Sequence, residues 1–102
     1  MKIKIDNPVT IKVMDISTGH ITKQDGTMLT DHYLDIKGEN CPIIYDYAEG
    51  AFVFCGDKNS INYKSFSCEF NAILKFANEK GYTFVRFDAD GEIYPDVKQF
   101  DW

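Results

Sequence analysis

Ser65 to Gly91, SFSCEFNAILKFANEKGYTFVRFDADG, places a helix, a strand and a tight acidic turn in direct succession. From Phe66 the apolar residues fall at Phe66, Phe70, Ile73, Leu74 and Ala77, the spacing of one helix face that lies on a core. Ser65 or Ser67 supplies the start, because a short hydroxyl accepts a hydrogen bond from an otherwise orphaned amide of the first turn. Gly81 supplies the stop, since glycine enters the left-handed conformation after a helix without a Cβ clash. Tyr82 to Phe87 is aromatic and β-branched, as strands are. Asp90-Gly91 is a pair that two-residue hairpin turns favour, so the spacing predicts a return strand over Glu92 to Tyr94, ended by Pro95.

Upstream of this block the alternation of Lys2 to Ile5 suggests a short edge strand ended by Asn7-Pro8. Val9 to Ile16 alternates again, with Val9, Ile11 and Val13 on one face and Met14 and Ile16 giving the other face some apolar character, and reads as a central strand. Thr22 followed by Asp25 resembles a capping box and opens a first helix carrying Met28, Leu29, His32 and Tyr33. That helix contains Gly26, which costs roughly 1 kcal/mol against alanine in mid-helix, and Gly38 ends it. Asn40-Cys41-Pro42 is a turn. Ile43 to Tyr47 and Ala51 to Cys55, around Ala48-Glu49-Gly50, form a hairpin. Gly56 to Ser60 is a polar loop, and the terminal Phe100-Asp101-Trp102 is expected to pack back on the domain rather than leave Trp102 in water. The order is βαββαβ. That is the succession of a ferredoxin-like two-layer α+β sandwich, two helices on one face of an antiparallel sheet, with an extra C-terminal hairpin.

The chain has 102 residues, the size of one domain spanning 1–102 with a modest core. Apolar residues make up 44% and aromatic residues 15%, which excludes a disordered chain. No run approaches a membrane span, and the start, Met-Lys-Ile-Lys-Ile-Asp, has no signal-peptide core, so a cytoplasmic protein is expected. Sixteen acids against 11 bases give a formal net charge of −5. Arg86 is the one arginine. Direct nucleic-acid binding is therefore not expected, because it draws on clustered Lys and Arg. The acids concentrate at the end: Asp88, Asp90, Glu92, Asp96 and Asp101 face only Lys98. With Glu49 at the other hairpin tip, Asp88, Asp90, Glu92 and Asp96 are the candidate partner-binding residues, an acidic face for a basic protein. The same acids also serve solubility.

Cys41, Cys55 and Cys68 are odd in number and widely spaced, which fits reduced thiols rather than a disulfide framework. No Cys or His pairing supplies a zinc half-site, Asp88 to Glu92 lacks the ligand spacing of an EF-hand, and the seven glycines are scattered, so no metal or cofactor is expected. His20 follows a strand among Ser17, Thr18 and Thr22, and Cys68 lies near a helix start, where the dipole favours thiolate. A capping and packing role suits the Ser17-to-Thr22 stretch better than catalysis.

Ile16 to Thr22 (Ile-Ser-Thr-Gly-His-Ile-Thr), Lys75-Phe76-Ala77, Phe87 to Gly91 and Phe100-Asp101-Trp102 together resemble a small uncharacterised α+β domain family of plasmids, integrated elements and phages. That resemblance implies an anti-defence setting, of anti-CRISPR or anti-restriction type, and brings no catalytic residues with it. The resulting expectation is a non-catalytic acidic inhibitor, monomer or homodimer, that binds host defence machinery such as a nuclease or its nucleic-acid complex. One alternative is an immunity protein that neutralises a cognate toxin. The other is a small enzyme using His20 or Cys68.

Overall fold

The computed structural model describes residues 1–30, 42–56 and 61–102. Among these described residues, four strands and two helices follow one another as β1 (Val13–Ser17), α1 (Lys23–Thr30), β2 (Ile44–Tyr47), β3 (Gly50–Phe54), α2 (Cys68–Glu79) and β4 (Phe84–Asp88), with a short 3₁₀ turn, Thr18–His20, between β1 and α1. The fold is α+β. Among the described residues no helix is long and apolar enough to cross a membrane.

Helix α2 forms where its pattern requires. The Ser67 hydroxyl accepts from the Phe70 amide at 3.1 Å, and Gly81, at φ +84°, closes the helix as its amide and that of Tyr82 donate to Asn78 and Ala77. Phe70, Ile73, Leu74 and Ala77 are buried. Phe70 lies between Phe66 and Phe87, stacked on both at centroid separations of 4.1 and 5.3 Å. The box at the start of α1 is present too: the Asp25 amide donates to Thr22 Oγ1 at 3.0 Å and the Thr22 amide to Asp25 Oδ2 at 3.1 Å. Asp25 does more than close its own helix. It is buried, and it also accepts from the amide and hydroxyl of Ser67 at 2.9 and 2.5 Å, tying the starts of both helices together.

The sheet order is β1-β4-β3-β2. β4 pairs antiparallel with β3 and β3 with β2, but β1 and β4 run parallel, so the expected antiparallel sheet is a mixed one. Register puts Met14 beside Val85, Ile16 beside Phe87, Ala51 beside Phe87 and Val53 beside Val85. These six are buried and form the inner face, with α1 packed on β2 and β3 and α2 on β4.

Four expectations from the sequence are corrected. β1 is an edge strand, not a central one, and its buried residues are Met14 and Ile16, while Val9, Ile11 and Val13 are exposed. A one-residue change of phase exchanges the two faces of a strand, and pairing with β4 chose the phase that buries Met14 and Ile16. Residues 1–12 form no strand and are exposed throughout. The C-terminal hairpin is also absent. After Asp88 a β-turn closes through the Gly91 amide on the Asp88 carbonyl at 2.9 Å, and the chain then crosses to β1, where the Ser17 amide donates to the Glu92 carbonyl at 2.8 Å. Gly91 is needed for that crossing, because a Cβ there would collide with the Ile16 carbonyl and stand 2.8 Å from the Ser17 nitrogen. The first-helix residues His32, Tyr33 and Gly38, together with Cys41 and residues 57–60 of the polar loop, lie outside the described residues.

Candidate functional site

The two turns at one end of the sheet meet. The Ala89 amide donates to the Glu49 carbonyl at 2.9 Å, and Gly50 stands opposite Asp88 in the β3–β4 register. Glu49, Asp90 and Glu92 are consequently exposed at one end of the sheet, while Asp88, also at that end, is buried and occupied. Its carboxylate accepts from the Asp90 amide at 2.7 Å and takes a very short hydrogen bond from the Tyr47 hydroxyl. Those two bonds, Tyr47 first, hold the Asp88 carboxyl below the usual carboxylate range. Burial, followed by the bond to Asp88, pushes the Tyr47 phenol from 10.0 up to about 12. Asp88 is thus a turn-builder more than a projecting charge. Asp96 stands apart from this edge, on the C-terminal tail beside a groove that Glu69 of α2 also lines.

The face of the sheet turned away from the helices extends this edge. Across β1, β4, β3 and β2 one row reads Asp15, Arg86, Phe52 and Tyr45, and the row before it begins with Val13, Phe84 and Phe54. Phe84 contacts Tyr45, Phe52 and Phe54 edge-on at centroid separations of 5.6 to 6.4 Å, and Phe52 meets Tyr47 at 5.6 Å. Arg86 pairs with Asp15 through Nε at 2.8 Å and Nη2 at 2.7 Å, which raises the affinity of the guanidinium for its proton. The second Asp15 oxygen accepts the Glu92 amide at 3.0 Å. The lone arginine is thereby neutralised by a neighbour, whereas among the described residues no cation pairs with Glu49, Asp90 or Glu92.

The sequence named Glu49, Asp88, Asp90 and Glu92 but not the bond that unites the two tips, nor the Tyr47–Asp88 and Asp15–Arg86 pairs. One signal was available: β4 places Phe84 and Phe87 on opposite faces, and Phe52 and Phe54 of β3 share a face opposite to that of Ala51 and Val53, so the outer side of the sheet is aromatic too.

His20 is fully buried, and both ring nitrogens are engaged. The Tyr94 amide donates to Nε2 at 2.9 Å, so the proton resides on Nδ1, which donates to the Lys98 carbonyl at 2.9 Å. His20 thus clamps the C-terminal tail onto the turn after β1. The Phe100 amide on the Gly19 carbonyl at 2.7 Å and Trp102 Nε1 on the Ile21 carbonyl at 2.9 Å complete the clamp. Trp102 packs over Gly26, where a Cβ would come within 2.7 Å of the indole ring, so the glycine in α1 makes room for the tail. Cys68 is exposed on the first turn of α2, and Cys55 is buried, its thiol pushed up to about 11 by burial; both are free. Among the described residues no three His, Cys, Asp or Glu side chains are grouped to hold a metal ion.

Among the described residues these observations define a small two-layer α+β domain whose sheet has an aromatic outer face and one acidic end. Residues 13–102 match the family of unknown function DUF5983, C-terminal domain, and the chain belongs to that family. No curated protein and no solved structure matches it.

Proposed function

We propose that the protein is a non-catalytic inhibitor that binds a basic surface on host defence machinery, of anti-CRISPR or anti-restriction type, and so keeps nucleic acid from that surface. The observation that carries this reading is the Ala89–Glu49 hydrogen bond, which draws Glu49, Asp90 and Glu92 to one end of the aromatic sheet face. A cationic channel made for phosphates attracts such an edge, and Tyr45, Phe52 and Phe84 give the contact an apolar centre that arginine and lysine stems can stack on. Net charge −5 and the resemblance to domains of mobile elements support the same reading. His20 is committed through both nitrogens to backbone groups, which weighs against the reading that uses it as a catalytic base.

The test is retention of host-lysate proteins on the immobilised chain, compared with the Glu49→Gln/Asp90→Asn/Glu92→Gln variant. A nucleic-acid-handling protein held by the native chain, released by salt and bound at least about tenfold more weakly by the variant supports the proposal. Equal retention of the same proteins by both chains, at low and high salt alike, overturns it.

A further inference from the structure

Alternation along the strands puts Tyr45 of β2, Phe52 and Phe54 of β3 and Phe84 and Arg86 of β4 on the side of the sheet away from the helices. Tyr45 is 59% exposed, more than any other aromatic residue of the four strands. It adjoins Phe84, which touches Phe52 and Phe54 in turn, so the rings form one continuous floor. Elsewhere the protein lays its own cations over partly exposed rings. Lys12 lies 4.8 Å from the centre of the Tyr82 ring, Lys80 5.7 Å from that of Phe76 and Lys98 4.9 Å from that of Phe100. Among the described residues no cation lies over Tyr45, Phe52, Phe54 or Phe84.

The charge beside this floor is negative. Glu49, Asp90 and Glu92 are exposed at its end, and among the described residues no cation pairs with them. Tyr45 stands two residues before Tyr47, which is opposite Gly50 beside Glu49, so ring and acids are separated by roughly 7 Å along the strand. An extended segment advances by that same distance every two residues. Alternate cationic side chains of one segment therefore reach the ring and the acids together.

We infer that this face takes an extended, arginine-rich segment of a partner protein, with one guanidinium on Tyr45 and its neighbours on Glu49, Asp90 and Glu92. The inference deepens the proposed function and rests on it in one respect, that the acidic end meets a basic protein. Arginine suits the floor better than lysine, because its planar, weakly hydrated guanidinium stacks on adjoining rings while an ammonium holds its water. The face already carries one such group: Arg86, in the row of Phe52 and Tyr45, is held by Asp15 Oδ1. A second copy of the chain is a poor occupant, since Arg86 is its one arginine and is taken by Asp15. A phosphate chain is a poorer one, because the acids repel it and Arg86 is not free to receive it.

The experiment measures fluorescence anisotropy of labelled nona-arginine and nona-lysine peptides, equal in charge, on titration with the full chain. Nona-arginine is expected to bind roughly three- to fivefold more tightly than nona-lysine. Tyr45→Ala, an exposed change whose fold circular dichroism checks, is expected to remove that preference and leave nona-lysine binding as it was. Glu49→Gln/Asp90→Asn/Glu92→Gln is expected to weaken both peptides. Glu69→Gln/Asp96→Asn, at the groove beside α2, is expected to weaken them less for each charge removed. Equal affinity for the two peptides overturns the inference, and so does a preference that survives Tyr45→Ala or an equal loss per charge in the two acid variants. The two readings fail separately. A nucleic-acid-handling protein retained from lysate without any arginine preference overturns this inference and leaves the proposed function standing. An arginine preference that requires Tyr45, with no such protein retained, supports the inference and overturns the proposed function.

Discussion

Tyr47 and Asp88 form the residue pair on which the acidic end depends, and the pair makes a pH prediction with a definite sign. The folded Asp88 carboxyl lies below its ordinary 3.8, so the stability it contributes is present above that value and is lost as pH falls through the folded one. Tyr47 is raised from 10.0 to about 12, so its contribution is complete below pH 10 and is lost as pH rises from there towards 12. Tyr47→Phe is expected to flatten the dependence of melting temperature on pH below about 4, where Asp88 loses its partner. It is also expected to remove a tyrosine titration near pH 12 followed by ultraviolet absorbance. An unchanged late titration would show that another tyrosine carries it. His20 makes the second residue-scale prediction. His20→Ala leaves the Tyr94 amide and Lys98 carbonyl without their partner, and its cost is expected at roughly 2–5 kcal/mol. Proteolysis between Tyr94 and Trp102 and a red shift of the single tryptophan's fluorescence are expected with it. Under the proposed function, inhibition per folded molecule is expected to change less than stability, and a stable but inactive variant would return His20 to the candidates for chemistry.

At the scale of elements, α2 is the most complete piece of local logic in the chain. Cap, apolar face and glycine stop agree with one another, and Phe70 at its centre is fully buried between Phe66 and Phe87. Phe70→Ala is expected to cost roughly 3–5 kcal/mol in chemical denaturation, because the flanking rings, Phe66 in the turn before α2 and Phe87 of β4, cannot collapse fully into the space. A cost below about 1 kcal/mol would mean that the ring carries little of the core. Helix α1 depends more on its surroundings. It has a glycine in its interior that accommodates Trp102, and its Asp25 holds Ser67 of the other helix, so its stability comes from tail and neighbour as much as from its own eight residues.

At the scale of the whole molecule, charge and shape divide the surface. The open sheet face and its acidic end are continuous, whereas Asp96 belongs with Glu69 to the groove beside α2. Glu49→Gln, Asp90→Asn and Glu92→Gln alter exposed groups, so the folded stability of the triple variant is expected within about 0.5 kcal/mol per substitution of the native chain. Asp88→Asn is expected to lower the melting temperature, since it weakens the acceptor for both Tyr47 and the turn amide. Equal melting temperatures for Asp88→Asn and the triple variant would place Asp88 among the merely solvated acids.

Local chemistry carried much of this protein in its sequence. The helix caps at Thr22 and Ser67, the stop at Gly81 and the β2–β3 hairpin rest on interactions between near neighbours and were legible from residue type and spacing; Trp102 returns to the domain as expected, although its ring stays half exposed. The sequence also supplied the acids, because side-chain charge needs no fold to be counted. Only tertiary structure decided which strand lies beside which. The alternation of Val9 to Ile16 offers apolar residues on both phases, and pairing with β4 selected Met14 and Ile16 for the core. Asp90-Gly91 was equally fit for a hairpin or a crossing, and the close approach of Gly91 to the β1 backbone decided for the crossing. The meeting of Glu49 with Ala89, the grip of His20 on Lys98 and Tyr94 and the pairing of Asp15 with Arg86 all join residues forty to nearly eighty positions apart. Contacts of that range depend on the path of the whole chain, which no local pattern encodes.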